Sequence, residues 1–329
     1  MSIIKKVFAV LLTAIVLVSF TACNNSAGGA SDAVNTGGSD GSVAEAAEAP
    51  HELQDSISQE DWDMHRQYID VATGITMSYV EMGSADGPAI ILEHGMTDNS
   101  RSWSLAAPYF CEAGYHVYMP DMRGQGYSDA PDTRAYTVID YAQDLAAFMD
   151  AKGIEHADIV GHSLGSMAVQ AFSILYPERC DHVVLDASAP ACIDSMGTFV
   201  YDYVRELPED EHIDDDFIQG WYYIENEVDQ EFLEHMMEES QQLSSDAWRA
   251  IAAGACMVDL RPYYQYYDAD IPLLILHGSG DTFFTDEMQE GLLAAFPSAT
   301  YITYEGIGHN IQYEIPEQIA SDILAFIEE

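Results

Sequence analysis

The sequence predicts an α/β fold: a doubly wound, mostly parallel sheet with a mainly helical cap insertion. Three observations carry that prediction. Short runs that are apolar at every position recur along the chain, as strands buried on both faces require. Segments with apolar residues three and four apart lie between them, and the alternation implies right-handed crossovers onto one sheet. One interval of about 80 residues, between Ser188 and Asp270, breaks the alternation and offers no clear core strand.

Arg66 to Val71 and Ile75 to Met82 read as two strands joined by the turn Ala72-Thr73-Gly74, a hairpin signal. Ala89 to Leu92 is a continuous apolar run ending at Glu93-His94-Gly95, and His116 to Pro120 is another, followed by Asp121-Met122-Arg123-Gly124-Gln125-Gly126-Tyr127-Ser128. Ile159-Val160, Val183 to Leu185, Leu273 to Leu276 and Tyr301 to Tyr304 supply four more strands. Thr137 to Lys152 carries Tyr141, Leu145, Phe148 and Met149 at helical spacing and stops before Gly153; Thr137 with Asp140 forms an acid-bearing variant of the capping box. Leu164 to Tyr176 and Asp286 to Phe296 are helical patterns that each end before a proline, and Pro316 to Ile327 is a further one.

A structureless loop of about 80 residues does not suit a compact domain. The interval 189–270 therefore reads as a helical cap inserted after the strand near Leu185. It holds Trp221-Tyr222-Tyr223, Met236-Met237, Trp248 and the cluster Tyr263 to Tyr267, read mainly as cap core. From Asp202 to Glu239 it carries 15 acidic residues and one basic residue, Arg205; most of these charges read as a solvated outer face.

The first residues have the three-part form of an export signal: Lys5 and Lys6, the apolar run Val7 to Val18, then small residues to Cys23. The run is short for a membrane span. Phe20-Thr21-Ala22-Cys23 resembles a bacterial lipobox, with Phe where Leu is usual, which implies a signal peptide over 1–22 and lipidation of Cys23. An ordinary secretory signal or an uncleaved anchor are the alternatives. Residues 23–58 are rich in Gly, Ser, Ala and Asp and cannot bury enough apolar surface to offset chain entropy, so they read as a disordered tether. Residues 59–329 suit one large domain with an insertion. The expected location is extracytoplasmic, with membrane contact only through the lipid, or secreted if the cysteine is not acylated.

The chain has 11 Lys+Arg against 56 Asp+Glu, a formal charge of −45, and its only lysines are Lys5, Lys6 and Lys152. Nucleic acid is excluded as a partner because phosphate neutralisation needs a basic surface. Solubility outside the cell and adaptation to high salt both fit such acidity. Cys111, Cys180, Cys192 and Cys256 show no C-x-x-C spacing, so a metal site has no support; an exported protein can hold a disulfide, with Cys180 and Cys192 the nearest pair in sequence, and free buried cysteines are the equal alternative.

The chemistry-bearing stretch is Asp158 to Ala168: a buried strand, the turn Gly161-His162-Ser163-Leu164-Gly165, and the start of a small-residue helix. That is the G-x-S-x-G nucleophile elbow in the context its mechanism needs. Gly161 and Gly165 allow strand and helix to approach, while Ser163 sits in a strained conformation at a helix N-terminus, where free N–H groups stabilise negative charge. Together with His94-Gly95 and Trp103, the run Asp121 to Ser128, His277-Gly278-Ser279-Gly280-Asp281 and Gly308-His309, this elbow resembles the α/β-hydrolases of the ester-hydrolase and haloperoxidase-like kind, over roughly Tyr68 to Glu329.

A serine hydroxyl needs a base, and the base needs a group to fix its tautomer. Of the eleven histidines, His309 is the best base, on a loop directly after a strand. Asp281 follows the Leu273–Leu276 strand and gives the chain order Ser163, Asp281, His309 expected of this fold; Asp186, one strand earlier, is its rival. An oxyanion hole needs two backbone donors. One is Leu164, after the nucleophile, and the resemblance places the other at Met96. The resemblance also gives His94 and His162 structural roles beside the site. His277 is expected to pack near its strand end, and Asp121 and Arg123 to order the loop after their strand as a paired turn. Ser163 argues against the dehalogenase and epoxide-hydrolase branches, which use an aspartate nucleophile. The expected function is hydrolysis of a carboxylic ester or related acyl bond of a small to medium substrate through an acyl-enzyme on Ser163, with no cofactor and no metal. A prolyl-type aminopeptidase and a small-molecule receptor that retains the triad are the alternatives.

Overall fold

A computed structural model describes residues 53–192, 196–208 and 212–329. The expected signal peptide, Cys23 and the expected tether up to residue 52 lie outside the described residues. Residues Leu53–Glu329 form one compact unit, which therefore begins ahead of residue 59: Ile57 and Trp62 are both buried in the core.

The sheet has eight strands. Gln67–Asp70 (β1) and Thr76–Gly83 (β2) form the expected hairpin, followed by Ala89–Glu93 (β3), His116–Pro120 (β4), Ala157–His162 (β5), Cys180–Asp186 (β6), Leu273–Gly278 (β7) and Thr300–Tyr304 (β8). Their spatial order is β1-β2-β4-β3-β5-β6-β7-β8. β1 and β2 are antiparallel to each other, β2 is antiparallel to β4, and every other pairing is parallel.

Successive side chains on a strand point to opposite faces, and here both faces are covered. Ile91, Ile159, Leu185 and Ile275 face one buried cluster with Phe148 and Phe172, and Ile90, Leu92, Val160, Val184, Leu274 and Leu276 face the other with Phe110 and Ile323. The helices supplying those partners are Ala107–Glu112 (α1), Val138–Lys152 (α2), Leu164–Leu175 (α3) and, at the end, Pro316–Ile327. The capping box at α2 is complete: the Thr137 side chain accepts from the Asp140 amide and the Asp140 side chain from the Thr137 amide.

The insertion is helical, with Met196–Val204 (α4), Asp215–Trp221 (α5), Gln230–Gln241 (α6) and Ser245–Cys256 (α7). Phe232, Met236, Trp248 and Ile251 fill it, while Tyr223, Tyr263 and Tyr266 are exposed, so the aromatic residues divide between cap core and surface. Asp286–Ala295 (α8), the single turn Ile311–Glu314 (α9) and Pro316–Ile327 (α10) complete the chain; α1 and α9 are too short to show a sequence period. No disulfide joins Cys111, Cys180, Cys192 or Cys256. Among the described residues no helix is long and apolar enough to cross a membrane, and no three His, Cys, Asp or Glu side chains are placed to hold a metal ion.

Candidate active site

Register brings the site together. Gly161 on β5 lies between Glu93 on β3 and Leu185 on β6, and His162 lies opposite Asp186. The residues that follow these strands therefore emerge side by side at the carboxyl edge, where open α/β sheets bind ligands.

Ser163 leaves β5 at φ 53° and ψ −118°, a strained conformation for a residue with a side chain. Its N–H donates to the Asp186 carbonyl at 3.0 Å and its carbonyl accepts from Met167 at 3.2 Å, which pins the turn from both sides. Close approach explains the flanking glycines. A Cβ on Gly161 would stand 2.6 Å from the Gly165 carbonyl oxygen, and one on Gly165 would stand 2.3 Å from that of His94.

The three residues expected to act together do meet. Ser163 Oγ lies 2.9 Å from His309 Nε2, and His309 Nδ1 lies 2.8 Å from Asp281 Oδ2. The carboxylate can only accept, so Nδ1 carries the proton and Nε2 presents its lone pair to the hydroxyl. Asp281 Oδ1 accepts from the amides of Phe283 and Phe284 at 2.7 and 3.0 Å. Burial by itself would raise the Asp281 carboxyl; the charge and hydrogen bond of His309 and those two amides outweigh it and hold it below the usual carboxylate range.

Asp186 does not join them. Its side chain is fully buried, neither oxygen has a hydrogen-bond partner, and burial, with Asp281 adding repulsion, pushes it well above the ordinary range.

Met96 and Leu164 both line the cleft around Ser163, Leu164 at the first position of α3 and Met96 in the loop after β3. That loop is fixed from several directions. His94 Nδ1–H donates to the Gly95 carbonyl at 2.7 Å and its Nε2 accepts from the Met122 amide at 2.8 Å. Thr97, at φ 65°, donates its amide to Gln125 Oε1 at 2.5 Å. His162 Nε2 donates to the His309 carbonyl at 3.1 Å, so its proton is on Nε2, and burial followed by repulsion from His309 holds its pKa well below normal. His277 is buried at its strand end, 3.2 Å from Asp286. Both it and His162 sit beside the chain of three rather than in it.

The expected pairing of Asp121 with Arg123 is not what forms. Arg123 grips Asp144 on α2 with two nitrogens, Nη2 at 2.6 Å, while Asp121 accepts from the Ser100 amide at 2.6 Å, the Tyr127 amide at 3.0 Å and Arg66 at 3.3 Å. Each residue orders its loop, but through a distant partner with better bidentate or multiple-donor geometry.

Three groups at the site had no sequence signal strong enough to single them out. Asp98 lies in the cleft wall with its oxygens accepting from the Tyr222 and Tyr313 hydroxyls at 2.7 Å each; burial raises its carboxyl, opposed by His94 and those phenols. Phe283 and Phe284 pack on His309 with ring centroids 4.6 and 5.2 Å away. Glu239, one of the cap's acidic residues, is buried and accepts from Arg101 Nη2 at 2.6 Å and Asn99 at 2.7 Å. Met96, Leu164, Trp221, Phe283, Phe284 and Ala255 give the cleft a mainly apolar wall around about 650 Å³ of space, its open mouth included.

The chain belongs to the alpha/beta hydrolase fold family, whose pattern matches residues 88–316. It is 26% identical over 277 residues to a non-heme chloroperoxidase of Streptomyces lividans, covering 79% of this chain and 98% of that protein. It is 34% identical over 113 residues to the bifunctional epoxide hydrolase 2 of Sus scrofa, a match that spans 34% of this chain but only 20% of the length of that relative. Among solved structures, an esterase from Exiguobacterium antarcticum superposes with a TM-score of 0.71 at 18% identity, over 80% of this chain and 99% of the other.

Proposed function

We propose that the protein is a serine hydrolase that cleaves a carboxylic ester or related acyl bond of a small to medium substrate. The observation that carries this reading is the unbroken chain Ser163 Oγ, His309, Asp281, with contacts of 2.9 and 2.8 Å. In this reading His309 Nε2 takes the Ser163 proton as the oxygen attacks the acyl carbon, and the amides of Met96 and Leu164 receive the oxyanion. His309 then returns the proton to the leaving group, and water repeats the sequence to release the acid and free Ser163. Asp281 keeps the imidazole in the productive tautomer and stabilises its cation. The serine at the elbow favours acyl transfer over epoxide opening by a carboxylate.

A fluorophosphonate probe should label Ser163, and p-nitrophenyl acetate or butyrate should be turned over in a way that Ser163→Ala abolishes. An acyl-chain-length series then sets the preferred substrate. Absence of labelling in folded protein, or turnover that survives Ser163→Ala, overturns the proposal. Tight binding of a small molecule without turnover would favour the receptor alternative.

The location belongs to the same proposal: export, lipidation at Cys23, and a tether holding the enzyme outside the membrane. It rests on the resemblance of Phe20 to Cys23 to a lipobox. Palmitate labelling that disappears in Cys23→Ala tests it, and label retained in that variant refutes it.

A further inference from the structure

Among buried ionisable groups outside the reacting chain, Asp98 is distinguished by where its two partners come from. Tyr222, at the end of α5, is part of the cap, and its hydroxyl donates to Oδ1 at 2.7 Å. Tyr313, on the single turn α9 that starts two residues after His309, donates to Oδ2 at 2.7 Å. Asp98 itself lies two residues after Met96. One carboxylate therefore ties the loop carrying a proposed oxyanion donor, the segment carrying the base, and the cap that walls the cleft. All three side chains are buried, with relative exposures of 5% for Asp98, 3% for Tyr222 and 2% for Tyr313.

We propose that Asp98 is a positioning residue for the reaction, setting the Met96 amide and the His309 loop in register with each other and with a closed cap. The inference rests on the serine-hydrolase reading above. Because both oxygens are committed to phenols, Asp98 acts through them and not by touching the acyl group. Buried hydrogen bonds to a carboxylate are among the stronger ones in a protein, and a site held to a fraction of an ångström keeps its rate only while such supports persist.

Kinetics separate this role from simple support of the fold. Kinetic constants are measured per active site, with sites counted by fluorophosphonate titration so that unfolded protein does not enter. Asp98→Ala is expected to lower kcat by about tenfold to a hundredfold with KM changed little, since a misplaced oxyanion donor costs transition-state binding. Asp98→Asn should recover most of the loss, because an amide accepts from one phenol and donates to the oxygen of the other. Tyr222→Phe and Tyr313→Phe should each lose part of it, and their effects should vanish in the Asp98→Ala background. If Asp98→Ala does not fold, the two phenylalanine variants and their double carry the test. Full kcat per titrated site in Asp98→Ala, or in both phenylalanine variants, overturns the inference. Wild-type protein that cannot be labelled at all sinks the serine-hydrolase reading instead, so the two failures are distinct.

Discussion

His162 Nε2 donates to the backbone carbonyl of His309 at 3.1 Å, so the residue immediately before Ser163 holds the loop that bears His309. The rings of the two histidines sit 5.0 Å apart, and burial holds the His162 pKa well below normal beside an imidazole that the proposed mechanism charges. A neutral hydrogen-bonded neighbour there orients His309 without repelling its cation.

His162→Phe preserves the bulk and removes the donor. A net hydrogen bond of about 0.5–1.5 kcal/mol corresponds to roughly a twofold to tenfold loss of kcat. Steady-state kinetics on a p-nitrophenyl ester measures this, and an unchanged kcat would show that the loop is held by other contacts.

The two buried aspartates near the site should respond in opposite ways. Asp281→Asn presents an amide to His309 Nδ1 and favours the wrong tautomer, with an expected loss of about 10³–10⁴ in kcat. Asp186 makes no hydrogen bond to His309 and burial raises its carboxyl well above the ordinary range, so Asp186→Asn should leave kcat within a few-fold. Comparing the two variants under identical conditions decides which carboxyl serves the base.

The reach of sequence reasoning follows the range of the interactions involved. The turn at Ser163 was legible because strand, glycines, serine and helix are contiguous, and the sterics that demand Gly161 and Gly165 are local. The meeting of Ser163, His309 and Asp281 was legible because each follows a strand whose order in the fold is restricted. The partner of Arg123 was not, since Asp144 lies 21 residues away on a helix whose rotation no local pattern sets. Glu239 was hidden for a stronger reason: its partner Arg101 is 138 residues distant, and nothing in a segment with 15 acidic residues between Asp202 and Glu239 marks it as buried.

Glu239 leads to a prediction about the cap. It accepts from Arg101, Arg66 and Asn99, and the Arg101 side chain is only 1% exposed. Glu239→Ala leaves the buried Arg101, among the described residues, with only the exposed Asp63 as its ion-pair partner, and breaking a buried pair costs up to about 3–5 kcal/mol. Urea denaturation should show a loss of that order, and hydrogen exchange should show faster opening of α6 than of the central strands. A variant with unchanged midpoint and unchanged exchange over α6 would contradict this.

Glu93 gives the protein a contribution to stability that weakens as pH rises. Burial pushes its carboxyl from 4.5 up to about 8, with repulsion from Asp144 and Asp121 adding to the effect. Between those two values the folded state keeps a proton that the unfolded state releases. The unfolded state therefore binds fewer protons, and stability from this group falls as pH rises from about 4.5, levelling off above about 8. Across the whole window the loss is on the order of 3–5 kcal/mol. Glu93→Gln cannot ionise and should remove this fall while leaving stability near pH 5 close to wild type. Urea midpoints of both proteins at pH 5, 7 and 9 test the point. The two curves should separate progressively on the alkaline side, with the wild type the lower, and parallel curves would show that Glu93 does not stay protonated in the folded protein.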